Sequence, residues 1–253
     1  MTSAQRKLKR GVEHIRTLCG ETATFEDSRA YLFESERELH SPKEIVYRCF
    51  AVQRKPMPLH WSLLAGEAVQ NLRSALDHLT YEKSGGNEQT QFPIFIKADD
   101  FAVRAPGRMK GIPGSLQTVI ESHQPYRHVP NEPSRDPLAE LRTLSNRDKH
   151  KVLATVVSAV TREAVGKPDG VELTWVDYAT NKRLEAGRTP ISTFVVRTDE
   201  GVENVQVEPI FFYEVRIEGR PVDTLKAIGN HVYRVMAEVD TGEPLSMFAP
   251  YPL

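Results

Sequence analysis

The sequence predicts an α+β protein in which a helical bundle forms the core and an antiparallel β-sheet is appended to it. Three observations carry this expectation. Apolar residues recur at helical spacing in the stretches 4–19, 61–83, 138–151 and 221–239. From 152 to 217 the pattern changes to short runs rich in Val, Thr and aromatic residues, separated by Gly, Asn and Pro. Of 253 residues, 40% are hydrophobic and 26% charged, the balance of an ordinary globular chain able to build a core. The expected organisation is one α+β domain over 1–253, with a helical part over about 1–151, a sheet over about 152–218 and a C-terminal helix over about 221–239.

In the first stretch Leu8, Val12, Ile15 and Cys19 fall at i, i+4, i+7 and i+11, one stripe of a helix. Arg6, Lys7, Lys9 and Arg10 crowd its first turns, but Glu13, Glu21 and Glu26 dilute the basic character. This reads as a solvated helix start more than as a presequence. Residues 30–33 and 44–50, with Tyr31, Phe33, Ile45, Val46, Tyr47 and Phe50, read as a β-hairpin or two edge strands joined through Ser41 and Pro42. Pro56 and Pro58 break the chain before a strong helix from Trp61 to about Lys83, which Gly85, Gly86 and Asn87 stop. Residues 92–95 (Phe-Pro-Ile-Phe) read as a short extended piece, and a second helix starts near Pro113 and carries Leu116, Val119 and Ile120. Pro125, Pro130 and Pro133 make a stiff loop that ends at Asp136 and Pro137, a helix cap followed by a favourable first residue. After the helix that follows, the segments 152–160, 171–178, 191–196 and 205–217 read as an antiparallel meander. Pro221 opens a last helix whose core stripe is Leu225, Ile228, Val232, Val235 and Val239.

Composition excludes several classes. Lys and Arg total 33 against 34 Asp and Glu, a net charge of −1, which argues against coating nucleic acid or an anionic membrane. The longest apolar run, 152–160, is far short of the roughly 20 residues that span a bilayer, and no signal-peptide stretch stands at the N-terminus. Two cysteines, Cys19 and Cys49, form neither a disulfide framework nor a zinc knuckle. A cytoplasmic chain with no membrane partner is expected. Phosphate-loop, nucleophile-elbow and His-Glu-x-x-His motifs are missing. The charge is uneven: residues 101–151 hold nine basic and five acidic side chains, whereas 170–253 hold eight and thirteen. Such a basic middle segment would suit a phosphate-bearing ligand on the helical side.

Candidate chemistry concentrates in two places. On the 61–83 helix, Glu67, Asn71, Ser74 and His78 form a narrow polar stripe beside an apolar arc of Leu64, Ala68, Leu72, Ala75, Leu76 and Leu79. Arg73 and Asp77 lie on the far side at ion-pair spacing. The stripe is either a cleft edge or the border of an ordinary amphipathic helix. The second place is Asn146, Arg147, Asp148, Lys149 and His150. Asp148 shares a face with Leu141, Leu144, Ser145 and Val152, so it needs a buried partner, with Arg73, Arg142 and His78 as candidates. In one reading Asp148 orients a histidine while Lys149 or Arg147 meets an anion; in the other it belongs to an ion pair clamping two helices. His60, His78, Asp148 and His150 have no metal-ligand spacing, so neither a metal nor a cofactor is expected. His14, His40, His123, His128 and His231 read as surface or capping residues. Tyr31, Tyr47, Phe211, Phe212 and Tyr213 read as strand core before base-stacking platforms.

A resemblance rests on these same residues. Residues 71–79 (Asn-Leu-Arg-Ser-Ala-Leu-Asp-His-Leu), then Gln124, Pro125 and Tyr126, then residues 146–150 (Asn-Arg-Asp-Lys-His) resemble a widespread group of uncharacterised bacterial proteins, over residues 60–151. Arg73-x4-His78 on a helix is similar to the Arg-x4–6-His motif of HEPN-domain ribonucleases. The resemblance implies an all-α bundle, a homodimer with two motifs facing across a cleft, and metal-independent RNA cleavage through the 2′-hydroxyl. His78 would be the general acid/base and Arg73 would contact the scissile phosphate, with Asn71, Ser74, Asp77, Asn146, Asp148, Lys149 and His150 in supporting or ligand-binding roles. Two features depart from the pattern: Ser74 follows the arginine where a larger polar residue is common, and a sheet is appended. Five residues of regular helix also set Arg73 and His78 roughly 140° apart. The function expected from this resemblance is an RNA endonuclease of defence or toxin–antitoxin systems. The alternatives are a non-catalytic binding module for a small anionic ligand or protein partner, and a purely structural clamp around Arg73, His78 and Asp148.

Overall fold

Leu8, Val12 and Ile15, the stripe that predicts the first helix, are buried in α1 (Ser3–Asp27). The helix runs past the expected end at residue 19 because Thr22 and Phe25 continue its buried face. The structure, a computed structural model, describes residues 1–166, 170–177, 180–202 and 205–242. The chain divides into two compact units: 1–20, 59–154 and the segment from 222 on form the first, and 21–58 with 155–221 form the second.

The first unit is helical. Its elements after α1 are α2 (Trp61–Lys83), α3 (Ala98–Arg108), α4 (Gly114–Ser122), the single turn α5 (Pro125–His128), α6 (Pro137–Asp148) and α7 (Asp223–Thr241). The apolar arc of α2 is sealed at Ala68, Leu72, Ala75, Leu76 and Leu79, and α2, α6 and α7 pack on one another. The whole predicted stripe of α7 is buried. Burying a Leu, Ile or Val side chain in this way contributes about 1.5–3 kcal/mol.

Two glycines set close helix contacts in this unit. A Cβ on Gly11 would stand 3.0 Å from Leu72 Cδ2 and 3.2 Å from the Ala68 carbonyl, so a side chain there would require α1 and α2 to give by a few tenths of an ångström. A Cβ on Gly66 would collide with the Asp148 carboxylate. At the start of α6 the Asp136 side chain accepts a hydrogen bond of 2.8 Å from Leu138 N, the cap that Asp136 and Pro137 predict. Residues 92–95 form no strand, but Phe92, Ile94 and Phe95 are buried. Three short elements in this unit lie outside the sequence expectation, one of them the 3-10 turn Pro133–Arg135. Helix α3 has only two buried residues, Phe101 and Ala105, and contains Pro106, so its apolar periodicity is faint. The turn α5 falls within the proline-rich loop, where Pro125 serves as a first helical residue.

The second unit is built on two antiparallel sheets. One has the order β1 (Tyr31–Ser41), β2 (Glu44–Gln53), β6 (Arg188–Arg197), β4 (Glu172–Asp177). The other has the order β5 (Thr180–Arg183), β3 (Thr155–Gly166), β7 (Glu208–Ile217), β8 (Arg220–Pro221). The predicted hairpin is therefore present, but it is longer and shares a sheet with later strands: Ile45 pairs with Val196 and Tyr47 with Phe194. The meander is split between the two sheets, because β3 pairs with β5 and β7 whereas β4 pairs with β6. Pro190 lies in β6 next to the β2–β6 register shift and beyond the reach of β4, which pairs with β6 only from Thr193 on, so its missing N–H breaks no ladder on that side. Residues 152–154 precede β3 and 205–207 precede β7, and Tyr178 lies outside the described residues. The aromatic residues go mostly to packing. Tyr47 stacks on Phe194 at 4.9 Å, and Tyr31 and Phe33 meet Tyr213 and Phe211 at 5.3 and 5.4 Å. Phe212 alone of the five predicted aromatics is exposed, at 46%.

Candidate anion-binding site

Helix α6 carries Arg142, Ser145, Asn146 and Lys149 at i, i+3, i+4 and i+7, a polar stripe along one face. Arg104 and Arg108, four apart on α3, form a second stripe, and Arg73 projects from α2. These side chains, with Gln91, Ile94 and Phe95, line one cavity of about 290 Å³ in the first unit. Among the described residues that line it, five are cationic and none is acidic.

The cations are held by different means. Arg73 is buried and grips Asp77 bidentately, Nε to Oδ2 at 3.2 Å and Nη2 to Oδ1 at 2.7 Å, and its Nη2 also donates to the Phe92 carbonyl at 2.8 Å. Asp77 Oδ1 in turn accepts from Phe92 N at 3.0 Å, so the pair pins residues 91–95 against α2. These bonds engage Nε and Nη2 of the guanidinium. Arg142 donates to the Ile94 carbonyl at 3.1 Å, and Arg108 lies over the Phe95 ring at 4.9 Å. Arg104 faces Asp100 at 3.7 Å in an exposed pair.

Burial holds Arg108 below the ordinary guanidinium value; the neighbouring Arg73, Arg142 and Arg104 push it the same way, and Asp77 opposes them. Four guanidiniums thus act on one another in a partly desolvated pocket, an arrangement whose repulsion an anion relieves. The negative end of the α6 dipole lies toward Asn146 and Lys149, so anion attraction here must come from the side chains and not from a helix N-terminus. Planar guanidiniums suit the paired oxygens of phosphate or carboxylate.

Of the residues predicted from the sequence, Arg73, Asn146 and Lys149 come together at this cavity. Asp77 stands behind it through Arg73. His78 does not line it: its Nδ1 shares a 2.7 Å hydrogen bond with Ser3 Oγ on α1, while Arg73 engages the segment at Phe92. The angular separation of the two positions on α2 is therefore kept, and their side chains meet different parts of the unit. Asn71 donates to its own helix at the Glu67 carbonyl, 2.8 Å away, Ser74 is half-buried on α2, and His150 is exposed beyond the end of α6. Asp148 is half-buried and takes its hydrogen bond from Gln70 Nε2 at 3.0 Å. Arg73, Arg142 and His78, expected as its partners, are engaged with Asp77, Ile94 and Ser3 instead.

Arg104, Arg108 and Gln91 were not singled out from the sequence, and Arg142 was named only as a partner for Asp148. The signal for them was the basic excess of residues 101–151 together with the i, i+4 spacing of Arg104 and Arg108. The histidines depart from the expectation further. His14, His123 and His231 are buried, because each lies on the inward side of its helix or turn; His14 meets Glu67 at 3.1 Å and His123 meets Glu238 at 2.8 Å.

No protein family, curated protein or solved structure matches this chain. Among the described residues no helix is long and apolar enough to cross a membrane.

Proposed function

We propose that the helical unit is a binding module for a small, multiply charged anion, a phosphate-bearing ligand above all. One observation carries this reading: among the described residues, five cationic side chains and no acidic one line a single cavity of about 290 Å³. That volume is close to the lower limit of small-ligand pockets, roughly 300–1,000 Å³, and suits a compact phosphorylated group. Inorganic pyrophosphate is the direct probe. Calorimetric titration of the wild-type chain should give saturable binding that weakens as salt rises, and Arg142→Ala should bind at least ~10-fold more weakly while remaining folded. Equal affinity in the wild type and Arg142→Ala sinks the proposal.

A second reading, the HEPN-like RNA endonuclease with its homodimer, keeps one observation in its favour: Arg73 lines a cavity suited to a phosphate. Against it, His78 is bound to Ser3 and is not among the residues lining that cavity. Single-stranded RNA turnover by wild type and His78→Ala separates the two readings. Turnover lost in a folded His78→Ala variant supports the nuclease, and equal or absent turnover leaves the binding module.

A further inference from the structure

A second polar cluster lies in the first unit, apart from the arginine pocket, where the α5 turn, the start of α6 and the middle of α7 meet. His128 Nδ1 and Asp136 Oδ2 are 2.6 Å apart. The ring of His231 lies 4.6 Å from that of His128 and 5.4 Å from that of His123, and His123 Nε2 is 2.8 Å from Glu238 Oε2. His231 is only 6% exposed, and among the described residues its Nε2 has no hydrogen-bond partner. A buried imidazole nitrogen without a partner costs about 1–3 kcal/mol. One ligand atom from each of His128, Asp136 and His231 lies within 4.8 Å of the other two.

We propose that His128, Asp136 and His231 form a binding site for a divalent first-row transition-metal ion, with Zn²⁺ the ion the donor set suits best. Two imidazoles and one carboxylate are a recurrent three-ligand set for such ions, which leaves a coordination position for water or another ligand. The ligand atoms are His128 Nδ1, Asp136 Oδ2 and His231 Nε2. On binding, the hydrogen bond between His128 and Asp136 is exchanged for two bonds to the ion, and the imidazole proton moves to His128 Nε2. Asp136 Oδ1 stays on Leu138 N and keeps the carboxylate oriented. Two further features fit. His128 is 36% exposed in its side chain, so the ion has an entry path. Glu238, opposite His123, adds negative charge close to the site.

The test uses full-length, tag-free chain stripped of metal and titrated with Zn²⁺ alone, while thermal melts monitor folding. The wild type should take up one ion per chain and melt at a higher temperature with Zn²⁺ than without. His128→Ala, at the exposed corner, and Asp136→Asn, which preserves the cap, should each lower affinity at least ~10-fold and abolish the rise in melting temperature. A wild type that takes up no Zn²⁺ overturns the proposal and leaves a buried polar clamp only. So does unchanged affinity in His128→Ala, or in an Asp136→Asn variant that still melts cooperatively. Neither result depends on whether pyrophosphate binds, so this proposal and the anion-binding reading stand or fall separately.

Discussion

The arginine pocket and the histidine cluster belong to the same helical unit and handle polar groups in opposite ways. In the pocket, charges of one sign face a common cavity: Arg108 is destabilised by burial and by three other arginines, and only Asp77 offsets it. In the cluster each charge meets a complement within the chain, His128 with Asp136 and His123 with Glu238, and the deeper groups are sealed from water. An excess of one charge at a surface cavity leaves room for an anion from solution even though Asp77 and Asp100 pair with two of the arginines, whereas compensated polarity inside a bundle ties helices together. Substitutions in the two places should therefore be felt by different measurements.

The largest effect is expected where a buried pair is broken. His123→Leu removes a hydrogen-bond partner from Glu238, whose side chain is 11% exposed, and should lower the urea-derived unfolding free energy by about 3 kcal/mol. A loss below about 0.5 kcal/mol would show that the cluster is not the internally paired region of this comparison. Arg73→Ala stands between the two cases, because the same guanidinium borders the pocket and clamps residues 91–95 through Asp77 and Phe92. It should cost about 2 kcal/mol of stability and weaken pyrophosphate binding as well. Arg108→Ala should sharpen the contrast: pyrophosphate affinity falls at least ~10-fold, while the unfolding free energy changes by less than about 1 kcal/mol because one repulsion is relieved as one ring contact is lost. Should Arg108→Ala unfold the protein, the pocket is a structural element and the comparison fails.

Acid gives the most graded effect. Burial pushes His231 from its ordinary 6.5 down to about 3, with Asp136 opposing and His128, His123 and Arg234 adding to the fall. His123 is also lowered, first by burial, with Glu238 opposing. The folded, metal-free chain therefore binds fewer protons than the unfolded chain between these values. The stability this represents is complete above pH 6.5 and drains away as the pH drops toward 3. Urea midpoints measured from pH 7 to pH 4 should fall, and by less in His231→Asn than in the wild type. Parallel curves would show that His231 does not titrate with unfolding.

The helical unit was the more legible part in sequence. Stripes such as Leu225 to Val239 on α7 and the Asp136 cap of α6 are local patterns, and local patterns carry helices. The split of the strands between two sheets was not legible, because pairing Ile45 with Val196 joins residues far apart in the chain and no local spacing encodes it. The same reason explains the site. Arg73, Asn146 and Lys149 were recognisable on their own helices, but Arg104 and Arg108 sit on α3, whose weak apolar face hid the helix that carries them. The histidines were misjudged because burial at His123 and His231 depends on which helix arrives opposite, α7 in one case and the α5–α6 corner in the other.

Helix α6 is only 12 residues long, about 18 Å from end to end. Its leading residue cap, Asp136, is one corner of the histidine cluster, and its trailing turn delivers Asn146 and Lys149 to the arginines. One short helix thus serves both polar regions: its cap at Leu138 N belongs to the cluster, and its last turn belongs to the pocket.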